Sequence, residues 1–223
     1  MKKKLIITID GPAGTGKSTV ARMLAGRINA AFLDTGAMYR AVTLCCIQNG
    51  VDPSDTQKVL PLMENTEFNF LPEQNGLQVY INSRDCTEKL RSDEVTENSK
   101  YIASAAPVRE KLVHMQRQFA KEQNKIVTEG RDQGTAAFPE ADHKFFLTAD
   151  TEQRVKRRYS ELVSKGLNPD YDQLKEAIIK RDYNDKNRKT SPLKPASDAV
   201  HIDTTKINAE QVVSELMEYL KDG

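Results

Sequence analysis

A glycine-rich motif near the start of the chain constrains the fold more than any other feature of the sequence. Residues 11–18 read GPAGTGKS, a complete GxxxxGK[ST] pattern. The pattern follows an apolar, β-branched run and precedes a segment with helical spacing of apolar residues. In that context it predicts a phosphate-binding loop between a strand and a helix, where backbone N–H groups and the helix start face a phosphate.

The loop predicts binding of a nucleotide polyphosphate. Lys17 is expected to reach the β- and γ-phosphates, and the Ser18 hydroxyl is the expected Mg²⁺ ligand. GTPase switches, motor ATPases and small-molecule kinases all share such a loop, so the motif alone does not select an activity. The residues predicted to bind the nucleotide are Gly11, Pro12, Ala13, Gly14, Thr15, Gly16, Lys17, Ser18 and Thr19.

Length and composition favour an ordinary globular protein. A chain of 223 residues suits one α/β domain with inserted pieces. Its 33 basic and 32 acidic residues nearly balance, and no apolar run approaches the length of a membrane span. We therefore expect a cytoplasmic protein with neither nucleic acid nor membrane as a partner. The three cysteines lack metal-site or disulfide spacing and are expected to be buried apolar residues.

Strand and helix patterns alternate through most of the chain. The first fifty residues read strand, loop, helix, strand, helix, which indicates a parallel sheet with its loops at the carboxyl edge. Apolar runs at 126–128, 145–147 and 199–203 supply three more strands. The prediction is an α/β, P-loop NTPase-like fold with a five-stranded parallel sheet flanked by helices.

Two segments interrupt this alternation. Residues 51–102 contain two β-patterned runs around a turn-rich segment at 72–76, which predicts an antiparallel hairpin in an inserted subdomain. Residues 151–185 are charge-rich and helical, and they predict either a basic lid hinged near Gly166 or a plain solvated helix. The predicted core comprises residues 1–50, 103–150 and 186–223.

Arginines accompany the loops at the predicted carboxyl edge. Arg40 lies one turn into a helix after the second strand, and Arg131 follows the third core strand between glycines. Arg109 begins the helix after the insert. Three arginines that converge on one crevice suggest a clamp for an anionic acceptor. Arg181, Asp185 and Arg188 share one face of a later helix, which could also be a solvated face with an ion pair.

Over essentially its whole length, the sequence resembles the bacterial cytidylate kinase family of P-loop nucleoside monophosphate kinases. The resemblance implies phosphorylation of CMP or dCMP to CDP or dCDP by direct in-line transfer from ATP with Mg²⁺, by a monomer. It also implies an insert that binds the monophosphate. The matching segments are IDGPAGTGKST (9–19), LDTGAMYRA (33–41), RDCTEKLRSDEV (84–95), PVRE (107–110), EGRDQGT (129–135), RDYNDKNR (181–188), SPLKPASDA (191–199) and IDTT (202–205).

The resemblance also implies residue roles. Arg154 and Arg158 resemble lid arginines of such kinases. The residues with implied catalytic roles are Lys17, Arg131, Asp132, Arg158 and Arg188. The residues with implied acceptor contacts are Thr35, Tyr39, Arg40, Ser99 or Lys100, Arg109, Arg131, Asp132, Arg181, Asp185 and Arg188.

Three positions depart from the family pattern. Glu129 stands where aspartate is expected, and Gln133 replaces an apolar residue. The serine that contacts cytosine in the family aligns with Lys100, with Ser99 beside it. Because one residue turns a helical side chain by about 100°, either position could read the base.

The predicted mechanism uses no general base, since a phosphate oxygen of the acceptor is already anionic near neutral pH. Positioning and charge stabilisation would carry catalysis. The alternatives are a kinase for UMP, for another monophosphate or for a small anionic acceptor such as shikimate. A GTPase-like switch is disfavoured, because neither an NKxD-type nor a DxxG motif stands at the required place.

Overall fold

Five parallel strands form the central sheet of the computed structural model, which describes residues 4–73 and 76–221. In chain order, the elements are β1 (Leu5–Asp10), α1 (Lys17–Ile28), β2 (Ala31–Asp34), α2 (Thr35–Gln48), α3 (Thr56–Glu64), β3 (Phe68–Glu73), β4 (Gly76–Ile81), β5 (Arg84–Asp85), α4 (Asp93–Ser104), α5 (Ala106–Glu122), β6 (Lys125–Gly130), β7 (His143–Thr148), α6 (Thr151–Ser164), α7 (Tyr171–Asn187), β8 (Val200–Asp203) and α8 (Ala209–Tyr219). The strands of the central sheet follow the order β2-β6-β1-β7-β8, which confirms the predicted five-stranded parallel sheet.

The register of strand pairing aligns the carboxyl ends of three neighbouring strands, β2, β6 and β1. Asp10 of β1 lies opposite Gly130 of β6, and Asp34 of β2 lies opposite Glu129. The loops that follow these strands therefore leave the sheet side by side. A π-helical turn, Gln133–Ala137, comes soon after β6.

Helices cover both faces of the sheet because alternate strand residues point to opposite sides. Val127 packs in a cluster with α1 and α8, whereas its neighbour Ile126 packs with α2 and α5. Each fully buried aliphatic side chain of these clusters contributes about 1.5–3 kcal/mol of transfer free energy. These apolar clusters thus hold the strands in place, and the charged side chains at the carboxyl ends of the strands are not part of them.

The segment after α2 carries its own antiparallel sheet, in the order β3-β4-β5. Its strands β3 and β4 form the predicted hairpin, and the tip of the predicted turn, Gln74 and Asn75, lies outside the described residues. Val79 and Ile81 of β4 pack in the same cluster as Met38 and Val42 of α2. This apolar contact joins the insert to the core. Helix α3 and strand β5 were not predicted.

The cysteines lie in this shared cluster. Cys45, Cys46 and Cys86 are buried and carry free thiols, as expected. Burial raises the pKa of the Cys46 thiol to about 12, so it stays protonated and unreactive. Within residues 4–73 and 76–221, no helix is both long and apolar enough to cross a lipid bilayer.

The close approach of Gly11 to β7 yields a stability prediction. Gly11 has φ +149°, and a Cβ there would lie 2.1 Å from the Leu147 carbonyl oxygen. We expect Gly11→Ala to lower the free energy of unfolding by about 3 kcal/mol, through backbone strain and steric overlap. Urea denaturation measures the change.

The matched control is Gly26→Ala in α1, where nothing lies within 4 Å of the added methyl group. A helical alanine should raise the free energy of unfolding by about 0.5 kcal/mol. Equal effects of the two substitutions would contradict the packing described for Gly11.

Candidate active site

The Lys17 side chain reaches back from the start of α1 to the phosphate-binding loop. Gly16 adopts φ +88° and ends the loop, and α1 begins at Lys17. The ammonium group donates a hydrogen bond to the Pro12 carbonyl at 2.7 Å, and the residue is 5% exposed. Burial and, next, the nearby Arg131 guanidinium lower the pKa of Lys17 to about 7. An anion bound beside this ammonium group would favour its charged form.

Carboxyl groups lie near the hydroxyl of Ser18, the residue after Lys17. The Ser18 hydroxyl donates to Glu129 Oε1 at 2.7 Å. Burial and then the neighbouring Asp34 carboxyl raise the pKa of Glu129. A hydroxyl and two carboxyl groups are the hard oxygen ligands that Mg²⁺ prefers. Across the described part of the chain, no three His, Cys, Asp or Glu side chains form a metal-binding group by themselves.

Arg131 connects the loop after β6 to helix α7. Its Nε donates to Asp185 Oδ2 at 2.8 Å. Although burial acts in the opposite direction, this guanidinium holds the pKa of Asp185 below its usual range. Arg181, one turn earlier on α7, lies close enough to Arg131 and Arg40 to interact with their charges. Arg131 and Arg181 therefore lie near Lys17, and Arg40 of α2 lies near Arg181.

A second charged cluster joins the insert to the same loop. Arg109 and Asp132 form a buried salt bridge, and Arg188 lies 3.6 Å from the other Asp132 oxygen. The Arg109 guanidinium also lies over the Tyr39 ring, 5.4 Å from its centroid, and donates to the Ala103 carbonyl at 3.2 Å. Four predicted site residues are thus in contact around one carboxylate.

Helix α2 presents its first turn to this edge. The Thr35 hydroxyl, predicted to contact the acceptor, donates to the Glu129 carbonyl at 2.7 Å. Asp34 caps the helix by accepting the Ala37 N–H, and it also accepts a hydrogen bond from Arg40 at 3.1 Å. Asp34 and Arg40 additionally line a crevice of about 300 Å³ between core and insert, with Arg22 and Arg91 farther along it. Neither Lys17 nor Arg131 lines that crevice.

Helix α4 separates the two candidates for base recognition. Ser99 is half-buried and shares a face with Ala103, whose carbonyl contacts Arg109. Lys100 is exposed, and its ammonium lies over the Tyr101 ring at 5.0 Å. Burial therefore distinguishes the two residues, with Ser99 partly shielded by the protein and Lys100 in solvent.

The two predicted lid arginines lie in different environments. Arg154 is 4% exposed, donates to the Ala13 carbonyl of the phosphate loop at 3.1 Å and pairs with Asp182 of α7 at 2.6 Å. Arg158 is on the surface and pairs with Glu161 at 2.7 Å. Arg154 therefore anchors α6 to the phosphate loop, whereas Arg158 is free to change partners.

Sequence reasoning missed two residues that support the phosphate loop and its neighbours. Asp10, the last residue of β1, accepts backbone hydrogen bonds from Gln133 and Gly134. Arg157 donates to the Thr204 hydroxyl, which in turn donates to the Thr15 carbonyl. An aspartate at the end of an apolar strand was a visible signal for the first residue, but no local pattern indicated the second.

Comparison with known proteins matches nearly the whole chain to one protein family. The family model described as cytidylate kinase matches residues 7–222. A cytidylate kinase of Leuconostoc mesenteroides is 44% identical over 97% of this chain and 96% of its own, and one of Anoxybacillus flavithermus is 43% identical with the same coverage. The solved structure of an uncharacterized protein from Eubacterium ventriosum shares the fold at TM-score 0.54 and 13% identity, covering 99% of this chain and 100% of its own.

The buried Arg109–Asp132 pair gives a testable energetic consequence. Asp132→Asn would leave the Arg109 guanidinium buried without its counter-charge, while Arg188 also loses its nearest carboxylate. We expect a loss of about 3–5 kcal/mol in the free energy of unfolding, measured by urea denaturation without ligands.

The control is Glu210→Gln, which removes one partner of the exposed Arg27–Glu210 pair. Water already solvates both of those groups, so we expect a change below about 1 kcal/mol. A loss at Asp132 no larger than that at Glu210 would show that the buried pair does not stabilise the insert against the core.

Proposed function

The chain belongs to the cytidylate kinase family of phosphotransferases, and on that premise we propose that it transfers the terminal phosphoryl group of ATP to CMP or dCMP. The products would be ADP and CDP or dCDP. The observation that carries the proposal is the meeting of Lys17 with Arg131 and Arg181 at one sheet edge. Such an edge can hold a polyphosphate and a second phosphate side by side.

Positioning and charge would account for the catalysis. The attacking phosphate oxygen of the acceptor carries its own negative charge, so this chain needs no general base. Lys17 and Arg131, with Arg181 and Arg188, would stabilise the charge that spreads over the transferred group. Arg158, whose present partner is the exposed Glu161, could approach the same group from α6. Exclusion of water by α6 and α7 would limit wasteful hydrolysis.

Mg²⁺ fits the residues beside the phosphate loop. Ser18 would bind the ion directly, with Glu129 holding the serine hydroxyl and Asp34 adding negative charge. When bound, the ion would neutralise charge on the donor phosphates. Glu129 is longer than the expected aspartate, and its carboxylate reaches the Ser18 hydroxyl directly.

The acceptor would lie between the β6 loop and the insert. Arg40 and Arg131 would contact its phosphate, Arg181 and Asp185 its ribose, and Arg109 with Asp132 its base. Ser99 is the better candidate than Lys100 for reading the base, since it is half-buried whereas Lys100 is exposed. UMP is the nearest alternative acceptor. A monomer in the cytoplasm, with no nucleic-acid or membrane partner, completes the proposal.

The proposal predicts a clear order of acceptors. In a coupled assay of ADP release, we expect CMP and dCMP to have kcat/KM values at least about 100-fold above those of AMP and GMP. UMP should fall between these groups. A preference for either purine monophosphate would refute the assigned substrate, and ATP turnover that ignores every acceptor would favour a nucleotide-binding switch.

Replacement of Lys17 tests the donor site. Lys17→Ala should lower kcat by about 100- to 1,000-fold, because it removes the positive charge that would stabilise the transferred phosphoryl group. The fold, monitored by circular dichroism, should persist. Lys58→Ala, at an exposed lysine of α3 paired with Asp55, is the matched control and should leave kcat unchanged. Near-normal turnover in Lys17→Ala would be incompatible with the proposed donor site.

Helix α4 offers a paired test of base recognition. Ser99→Ala should raise the KM for CMP about tenfold through loss of one hydrogen bond to the base. Lys100→Ala should leave that KM near the wild-type value, since Lys100 faces solvent. The reverse pattern in steady-state kinetics would assign base reading to Lys100.

A further inference from the structure

Asp10 joins the strand before the phosphate loop to the turn after the acceptor arginine. It is the last residue of β1 and is 4% exposed. Its Oδ1 accepts the Gln133 N–H at 2.9 Å, and its Oδ2 accepts the Gly134 N–H at 2.8 Å. These two amides open the π-helical turn that directly follows Arg131 and Asp132. Both carboxylate oxygens are therefore used by one neighbouring loop.

The sheet ladder does not fix this loop. Pairing between β1 and β6 ends at Asp10 and Gly130, so Arg131 and Asp132 lie beyond the last ladder pair. The next fixed point on the backbone is the pair of amides held by Asp10. We call residues 130–134 the acceptor loop. Its two charged side chains stand between these two attachments.

A buried carboxylate is costly unless it has partners. Burial raises the pKa of Asp10 to about 6, while its hydrogen bonds from the two amides act in the opposite direction. The hydrophobic clusters do not require a charged group here, since Ile7 and Ile9 of the same strand already supply apolar packing. The burial of the Asp10 carboxylate is explained by the two backbone N–H groups that it binds.

We propose that Asp10 is a positioning residue that holds the acceptor loop against the phosphate-binding loop through the Gln133 and Gly134 amides. The proposal rests on the proposed phosphorylation of CMP. Asp10 acts through the backbone of the loop and not by contact with substrate. Misplacement of Arg131 and Asp132 by about 1 Å can cost roughly 100-fold in rate, so this tie has a kinetic consequence.

The matched control lies on the same strand as Asp10. Thr8 of β1 is fully buried, and within the described residues its hydroxyl has no hydrogen-bond partner. Thr8→Val keeps the size and shape of the side chain and leaves the Asp10 carboxylate and both amides in place. It therefore separates the carboxylate tie from the effect of substituting a buried polar residue of β1.

The test uses Asp10→Asn in the full chain. Asparagine keeps the size of aspartate, but its NH₂ group would face one of the two amide donors. We expect kcat/KM for CMP to fall about 100-fold, while the dissociation constant for ADP, measured by calorimetry without acceptor, changes little. Hydrogen exchange at Gln133 or Gly134 should accelerate. Thr8→Val should keep kcat/KM near wild type.

Each outcome decides the proposal. Normal CMP kinetics in Asp10→Asn would overturn it, as would equal losses in kcat/KM for CMP and in affinity for ADP, or the same acceptor defect in Thr8→Val. If Asp10→Asn does not fold, exchange in the wild-type protein decides, since unprotected amides at Gln133 and Gly134 would exclude the tie. Failure of the wild-type enzyme to phosphorylate CMP would instead refute the proposed function. The hydrogen-exchange result would still report on the contact between Asp10 and the two amides, independently of that failure.

Discussion

Burial of opposite charges at the carboxyl edge of the sheet is the constraint on which the rest of the structure depends. Strands β1, β2 and β6 end in Asp10, Asp34 and Glu129–Gly130, which places three carboxyl groups close together with little water. Each group accepts a hydrogen bond from an N–H group or a hydroxyl, because an unpartnered buried charge would cost several kcal/mol. The loops and α2 take their positions from these partners, and the apolar clusters hold the strands that bring them together.

Much of the fold could be predicted because its signals are local. The phosphate loop and the five core strands follow from glycine placement and from short apolar runs within strands of four to six residues. Strand β5 has two residues, too few for any periodic pattern, and α3 contains Pro61, which argues against a helix from sequence alone. The π-helical turn could not be predicted, because Asp10, which holds its amides, is more than 120 residues away.

The candidate site, like the fold, could be predicted only in part. Individual residues such as Lys17 and Arg131 were identifiable from their motifs, but their partners were not. The contact of Arg109 with Asp132 depends on how α5 packs beside the β6 loop, and the burial of Arg154 depends on the path of the phosphate loop. Ser99 and Lys100 are adjacent in sequence, so only the packing of α4 distinguishes the half-buried side from the exposed one.

The central claim is that one sheet edge holds both the donor polyphosphate and the acceptor phosphate. A crystal structure with CMP and a non-hydrolysable ATP analogue tests it most directly. The account predicts the CMP phosphate within hydrogen-bond distance of Arg131, facing the terminal phosphate beside Lys17. A CMP phosphate in the separate crevice beside Arg22 and Arg91, away from Lys17, would contradict it.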